Sequence, residues 1–81
     1  MTVRVVAFAR LRELLGRASL SLELPDGAHA GAVWERLAPE YPALRELAGS
    51  TRLACNGRLV EPGATLHDGD ELALLPPVGG G

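Results

Sequence analysis

The sequence predicts an α+β fold in which a mixed β-sheet packs on one main helix. Strand-like patterns occur near both ends of the chain, and one helical stripe of apolar residues lies between them. At 81 residues the chain has room for one core, because a domain of this size buries only about 60% of the surface that it exposes when unfolded. With 47% hydrophobic residues it should nevertheless fold, despite its ten Gly and six Pro.

The first three elements follow from local patterns. Residues 2–9 are β-branched or aromatic with a single charge, which is typical of a central strand covered on both faces. A short helix is predicted over residues 10–15, and Gly16 is placed where a left-handed residue would end it. Residues 19–24 alternate Ser or Glu with Leu, which predicts a half-exposed strand antiparallel to the first.

The main helix is predicted in the middle of the chain, after the Pro25-Asp26-Gly27 turn. Apolar residues recur at steps of three and four over residues 30–41 and form one stripe. Pro39 and Pro42 should end the regular helix near the last of these positions. A further short helical turn is expected over residues 43–48.

Three short strands are predicted in the C-terminal half. Residues 51–55 alternate, Asn56-Gly57 is a strong hairpin signal, and residues 58–60 form the return strand. The last strand spans residues 70–75, in which Leu75 faces away from the core. A hairpin, one helix across the sheet and a last strand returning beside the first make a β-grasp (ubiquitin-like) roll.

Composition and charge exclude several classes of protein. The net charge of −2 argues against nucleic-acid and membrane partners. All eight basic residues are Arg. Because the chain has no Lys, a Schiff-base nucleophile, a P-loop and an isopeptide bond formed by the chain with itself are excluded. The sequence contains neither a signal-type segment nor an apolar run long enough to span a bilayer. Since a single Cys also suits a reducing compartment, we expect a cytoplasmic protein.

No side chain has the pattern of a catalyst. We interpret His29 as structural and His67 as a solvated loop residue, and no Cys/His spacing predicts a metal site. Cys55 alternates onto the apolar face, which favours an inert core residue over a reactive thiol. The acidic residues near the last two turns form either a solvated rim or a surface for a basic partner: Glu61, Asp68, Asp70 and Glu71.

The remaining candidate site is the C-terminal segment, residues 76–81. Pro76 and Pro77 favour an extended start, and six residues reach roughly 20 Å. Glycines can enter a channel too narrow for any Cβ atom. The Gly81 carboxylate is an anion at neutral pH and becomes an electrophile only after ATP converts it to a mixed anhydride with AMP. We therefore predict a β-grasp domain over residues 1–75 and an extended flexible tail over residues 76–81.

Several blocks of the sequence together resemble a known family. The two specific blocks are Phe8-Ala9-Arg10-Leu11-Arg12-Glu13-Leu14-Leu15-Gly16 and Leu75-Pro76-Pro77-Val78-Gly79-Gly80-Gly81. Shorter ones are Leu24-Pro25-Asp26-Gly27 and Ala54-Cys55-Asn56-Gly57. Over essentially the whole chain, the sequence is similar to the small subunit of molybdopterin synthase, a ubiquitin-like sulfur carrier. It departs from the family in having Leu74 and Leu75 where aromatic residues are frequent.

This resemblance implies a carrier cycle without a permanently bound cofactor. An E1-like adenylyltransferase would consume ATP to adenylate Gly81, and a sulfurtransferase would supply the sulfur that leaves a thiocarboxylate. The large synthase subunit, in a heterotetramer of two small and two large subunits, would receive the tail. Sulfur would pass to cyclic pyranopterin monophosphate and build the dithiolene of the molybdenum cofactor.

The resemblance also assigns roles to residues of a chain that is not an enzyme by itself. Gly81 would carry the reactive group. Arg12, Leu59 and Leu75 would contact the large subunit. The residues that would enter the partner are Pro76, Pro77, Val78, Gly79 and Gly80.

Three other functions remain open. A sulfur carrier for thiamine synthesis or tRNA thiolation would share the Gly-Gly end but usually lacks the Pro-Pro-Val and Arg-Glu-Leu-Leu-Gly blocks. A ubiquitin-like protein modifier would accumulate as high-mass conjugates in cells. A β-grasp binding module would have the same fold and an idle tail.

Overall fold

A computed structural model describes residues 1–76, so of the predicted tail only Pro76 lies among the described residues. Five strands and three helices follow one another in the order that the sequence predicts. Their bounds are β1 Thr2–Ala7, α1 Ala9–Leu15, β2 Ser19–Glu23, α2 Ala32–Leu37, α3 Leu44–Ala48, β3 Arg52–Cys55, β4 Arg58–Val60 and β5 Glu71–Leu75.

The five strands form one mixed sheet in the order β2-β1-β5-β3-β4. β5 runs parallel to β1, whereas the other three pairs are antiparallel. The first and last strands are therefore neighbours at the centre, and the two hairpin partners, β2 and β4, form the edges. This arrangement, with a helix packed on the sheet, confirms the predicted β-grasp roll.

β1 is central, as predicted, but only one of its faces is covered. Val3 and Val5 are fully buried, whereas Arg4 is exposed and Val6 is half-buried. The prediction that both faces are covered is wrong because the helix side of the sheet holds the core and the opposite face stays open. The strand also ends at Ala7 rather than at residue 9, since α1 begins there.

The helices follow their predicted positions, but α1 begins one residue earlier than predicted, and α2 and α3 are shorter than predicted. Helix α1 ends at Gly16, whose φ of 74° is left-handed and whose amide donates to the carbonyls of Arg12 and Glu13. Helix α2 has only six residues, although the Tyr41 amide still donates to the Leu37 carbonyl at 2.9 Å. Regular α-helix stops there because Pro39 has no amide hydrogen to donate.

The core lies between the helices and one face of the sheet. It draws on every helix and on three strands, β1, β3 and β5, so burial of these side chains fixes which sheet face is covered. Its fourteen members are Val3, Val5, Ala7, Leu11, Leu15, Leu24, Ala30, Val33, Leu37, Leu44, Leu53, Leu66, Leu72 and Leu74.

Candidate functional site: the outer sheet face and the end of β5

The predicted tail begins at the middle of the sheet. β5 pairs with β1 on one side and β3 on the other, and Leu75, its last residue, lies opposite Arg52. Leu75 and Pro76 are both half-buried. The sheet ends at Leu75 because Pro76 cannot donate a ladder hydrogen bond. A chain leaving this point starts between two flanking strands rather than at an edge.

An apolar row crosses the sheet face that the helices leave uncovered, which we call the outer face. Strand pairing aligns Val6 with Ala73, Ala73 with Ala54, and Ala54 with Leu59. Ala54 is only 7% exposed, whereas Leu59 at the edge is 58% exposed. Two small residues at the centre thus lie between larger apolar side chains. Exposed apolar surface of this kind is typical of a protein-binding face.

Phe8, which was not predicted as a site residue, enlarges this apolar surface. Its backbone is extended, so by strand alternation it follows Val6 and Arg4 onto the outer face. It is 46% exposed. The sequence did not signal this exposure, because the nearly continuous apolar run over residues 2–9 is typical of a strand covered on both faces. We define Val6, Phe8, Ala54, Leu59, Ala73 and Leu75 as the outer apolar patch.

Two of the three predicted interface residues share this patch. Leu59 pairs with Ala54, and Leu75 lies beside the same strand opposite Arg52, so both lie on the outer face. Arg12 is exposed on α1. Because β1 and β5 are parallel, the helix after β1 begins at the end of the sheet where β5 stops. Arg12 is therefore near the tail exit but on a separate element, and its contact role stays a prediction.

Two of the four carboxylates of the predicted acidic rim, Asp68 and Asp70, accept hydrogen bonds within the fold. The Asp70 carboxylate is only 15% exposed and accepts hydrogen bonds from the Asn56 side chain at 2.9 Å and the His67 amide at 2.8 Å. These bonds hold the pKa of Asp70 below its usual range. Asp68 accepts from the Thr2 amide at 2.7 Å. The other two predicted members of the rim, Glu61 and Glu71, are exposed.

The other candidate side chains lie apart from the outer apolar patch. The His67 side chain is 79% exposed, as predicted for a loop residue. The backbone of His29 forms a β-bridge with Thr65, in agreement with a structural role. Cys55 is half-buried and packs against the core, and burial, followed by the nearby Asp70 carboxylate, raises the pKa of its thiol.

Over residues 1–76 no group of three or more His, Cys, Asp or Glu side chains is placed to hold a metal ion. None of the helices in this part of the chain has the length and apolar character needed to cross a membrane.

The fold and the tail exit define a ubiquitin-like β-grasp protein whose last strand leads from an apolar face to a Gly-Gly end. The chain matches the ThiS family over residues 5–81. It therefore belongs to the ThiS family.

Individual relatives agree with this assignment. The molybdopterin synthase sulfur carrier subunit of Haemophilus influenzae is 40% identical over 81 residues, which cover 98% of this chain and 99% of the relative. The crystal structure of SAMP1 from Haloferax volcanii matches with a TM-score of 0.86 at 28% identity over all of both chains. A complex of subunits 1 and 2 of the molybdopterin-converting factor from Helicobacter pylori includes a chain that matches with a TM-score of 0.71 at 27% identity, again over all of both chains.

Proposed function

We propose that this protein is the sulfur carrier subunit of a molybdopterin synthase. In this proposal Gly81 is adenylated, converted to a thiocarboxylate and delivered into a large subunit, where its sulfur passes to cyclic pyranopterin monophosphate. The chain supplies the sulfur and the tether, and the catalytic groups belong to the large subunit, two copies of which pair with two carriers.

The observation that carries the proposal is that β5 ends beside the outer apolar patch. A partner docked on this patch would meet the tail where it leaves the sheet, with Leu75 in contact and residues 76–81 directed into the partner. Family relatives that are named as sulfur carrier subunits, and a related chain solved in complex with a second subunit, support this reading.

In the sulfur-transfer chemistry, the role of the fold is to position the C-terminal carboxylate. The Gly81 carboxylate attacks the α-phosphate of ATP on an E1-like enzyme and pyrophosphate leaves. Sulfide-level sulfur from a sulfurtransferase then attacks the Gly81 carbonyl carbon, a C–S bond forms, the C–O bond to AMP breaks, and AMP leaves with the bonding electrons. The resulting thiocarboxylate is an anionic sulfur nucleophile, and its attachment to a docked domain replaces a bimolecular encounter with delivery along a fixed path.

Intact-mass measurement tests the loading step. Incubation with a cognate E1-like enzyme, ATP and a sulfur donor should replace one terminal oxygen by sulfur, and loaded carrier plus the large subunit should form molybdopterin from the pterin precursor. Deletion of Gly81 should abolish transfer and leave the circular-dichroism spectrum unchanged. An unchanged mass with an enzyme known to be active would refute the proposal.

A second candidate function is that of a protein modifier, favoured by the match to SAMP1. Relatives include a small archaeal modifier protein that is 33% identical over 82 residues. The activated Gly81 would then form an amide with a target lysine. Cell extracts probed for this chain would show high-mass conjugates that depend on Gly81, whereas a sulfur carrier alone would remain at its own mass.

A further inference from the structure

The chain contains no lysine. All eight basic residues are Arg, so no side chain of the 81 residues carries a primary amine. A guanidinium stays protonated in proteins and does not act as an acyl acceptor at neutral pH. The α-amino group of Met1 is therefore the amine through which this chain could attack an activated carboxyl group.

The fold engages that amine in two contacts. The Met1 ammonium donates a 2.8 Å hydrogen bond to the Leu24 carbonyl and lies 3.3 Å from an Asp26 carboxylate oxygen. The Met1 carbonyl in turn accepts from the Leu24 amide at 2.9 Å, and the Met1 side chain is only 3% exposed. A nucleophilic amine needs a free lone pair and room to approach the acyl carbon, and the contacts with Leu24 and Asp26 restrict that approach.

The other strong nucleophile of the chain is the Cys55 thiol. It is half-buried on β3, where it packs against the core. Burial and the adjacent Asp70 carboxylate raise the pKa of this thiol, so little of the reactive thiolate forms at neutral pH.

We propose that this protein is a one-way acyl donor: its activated C-terminus can be transferred to a partner, whereas the Met1 amine and the Cys55 thiol of a second folded copy are poor acceptors because the fold engages both groups. The inference rests on the proposed activation of Gly81. It adds that the fold disfavours attack by the amine or thiol of one copy on the activated Gly81 of another.

The suppressed reaction is ordinary aminolysis. A neutral amine would attack the Gly81 carbonyl carbon of the acyl-adenylate, a C–N bond would form, and the C–O bond to AMP would break. AMP would leave with the bonding electrons, and the new amide nitrogen would lose a proton to water. Such a step joins two copies and consumes both ATP and carrier. As a modifier, the chain would be attached singly, because an attached copy offers no lysine to the next.

Amine acylation tests the inference without any activation. An N-hydroxysuccinimide acetate pulse, read by mass spectrometry, should add one acetyl group at Met1 about two- to tenfold more slowly than to a peptide of residues 1–8. Asp26→Asn should raise the rate toward that of the peptide, and Asp68→Asn, which alters a carboxylate that does not touch the ammonium, should not. Acylation of folded Met1 at the peptide rate would overturn the inference.

The activated protein provides the second test. With the E1-like enzyme and ATP but no sulfur donor, the protein should remain monomeric in denaturing gels. Arg45→Lys, which adds one exposed amine on α3 at unchanged charge, should yield covalent dimers. Wild-type dimers linked through Met1 or Cys55 would overturn the inference. Absence of pyrophosphate release would instead refute the proposed function, and the acylation result would still stand.

Discussion

The side-chain amide of Asn56 donates a 2.9 Å hydrogen bond to the carboxylate of Asp70, which joins the β3–β4 turn to the start of β5. Asn56 also forms two hydrogen bonds with Glu71. Its backbone amide donates to the Glu71 carbonyl at 2.8 Å, and its side-chain oxygen accepts from the Glu71 amide at 3.0 Å. The turn at Asn56-Gly57 is thus anchored to the strand that leads to the tail.

The first prediction concerns Asp70. Because its pKa is lowered in the folded state, it contributes stability that is present above its ordinary pKa of about 4 and is lost as the pH falls through the lowered value. Asp70→Asn should therefore cost about 1 kcal/mol of unfolding free energy at pH 7 and much less near pH 2. Urea unfolding at both pH values measures the difference.

Glu61→Gln is the matched control, because Glu61 is exposed and removal of its charge should change stability by less than about 0.5 kcal/mol at either pH. A destabilisation by Asp70→Asn that is the same at both pH values would show that the carboxylate charge contributes nothing through these bonds.

The second prediction separates binding from stability within the sheet. Leu59 is 58% exposed on the outer apolar patch and Leu74 is fully buried on the core face. Leu59→Ala should change unfolding free energy by less than about 0.5 kcal/mol and weaken binding of the large subunit by more than about 1 kcal/mol. Leu74→Ala should cost about 2 to 5 kcal/mol of stability.

Titration calorimetry with the large subunit and urea unfolding of each variant measure the two quantities. Phe8→Ala should behave as Leu59→Ala does, since Phe8 belongs to the same patch. Full-strength binding by a Leu59→Ala, Phe8→Ala double variant would exclude the outer apolar patch as the docking surface.

The third prediction rests on a close backbone approach. A Cβ atom on Gly31 would lie 3.2 Å from Pro62 Cβ and 3.3 Å from its carbonyl oxygen, and the Gly31 amide donates to that same oxygen at 2.8 Å. Gly31→Ala should therefore destabilise the fold by about 1 to 3 kcal/mol. Gly49, at the end of α3, has no such neighbour and a φ of −68°.

Gly49→Ala should accordingly be neutral or stabilising by up to about 1 kcal/mol, because Ala restricts the unfolded chain. Thermal and urea unfolding of the two variants make the comparison. Equal stabilities would mean that the loop carrying Pro62 moves aside at negligible cost.

Local patterns predicted the order and type of the elements because their causes are local. Gly16 and the Asn56-Gly57 pair have positive φ values, and the strands alternate as the sheet requires. Those residues indicate a helix end and a hairpin from the local sequence alone.

Relationships between distant residues were not predictable in the same way. The row from Val6 to Leu59 depends on which strands pair and in what register, and the Asn56–Asp70 bond depends on β5 lying beside β3. Asp70 was predicted to belong to a solvated rim or to a surface for a basic partner, because a carboxylate beside a turn is usually exposed. Leu59 and Leu75 were predicted as interface residues from a family resemblance. Phe8 was assigned to the patch only after the structure had shown which face of β1 is buried.

The last prediction concerns the tail itself. If Gly80 passes through a channel shaped for glycine, a side chain there obstructs the approach of Gly81 to ATP, and a misplacement of about 1 Å can lower a rate by roughly a hundredfold. Gly80→Val should therefore reduce pyrophosphate release on the E1-like enzyme by about that factor, with unchanged thermal unfolding. Gly63→Ala, where a Cβ meets nothing within 4 Å, should retain the full rate. Equal rates for the two variants would show that the E1-like enzyme recognises the β-grasp domain and tolerates a side chain at position 80.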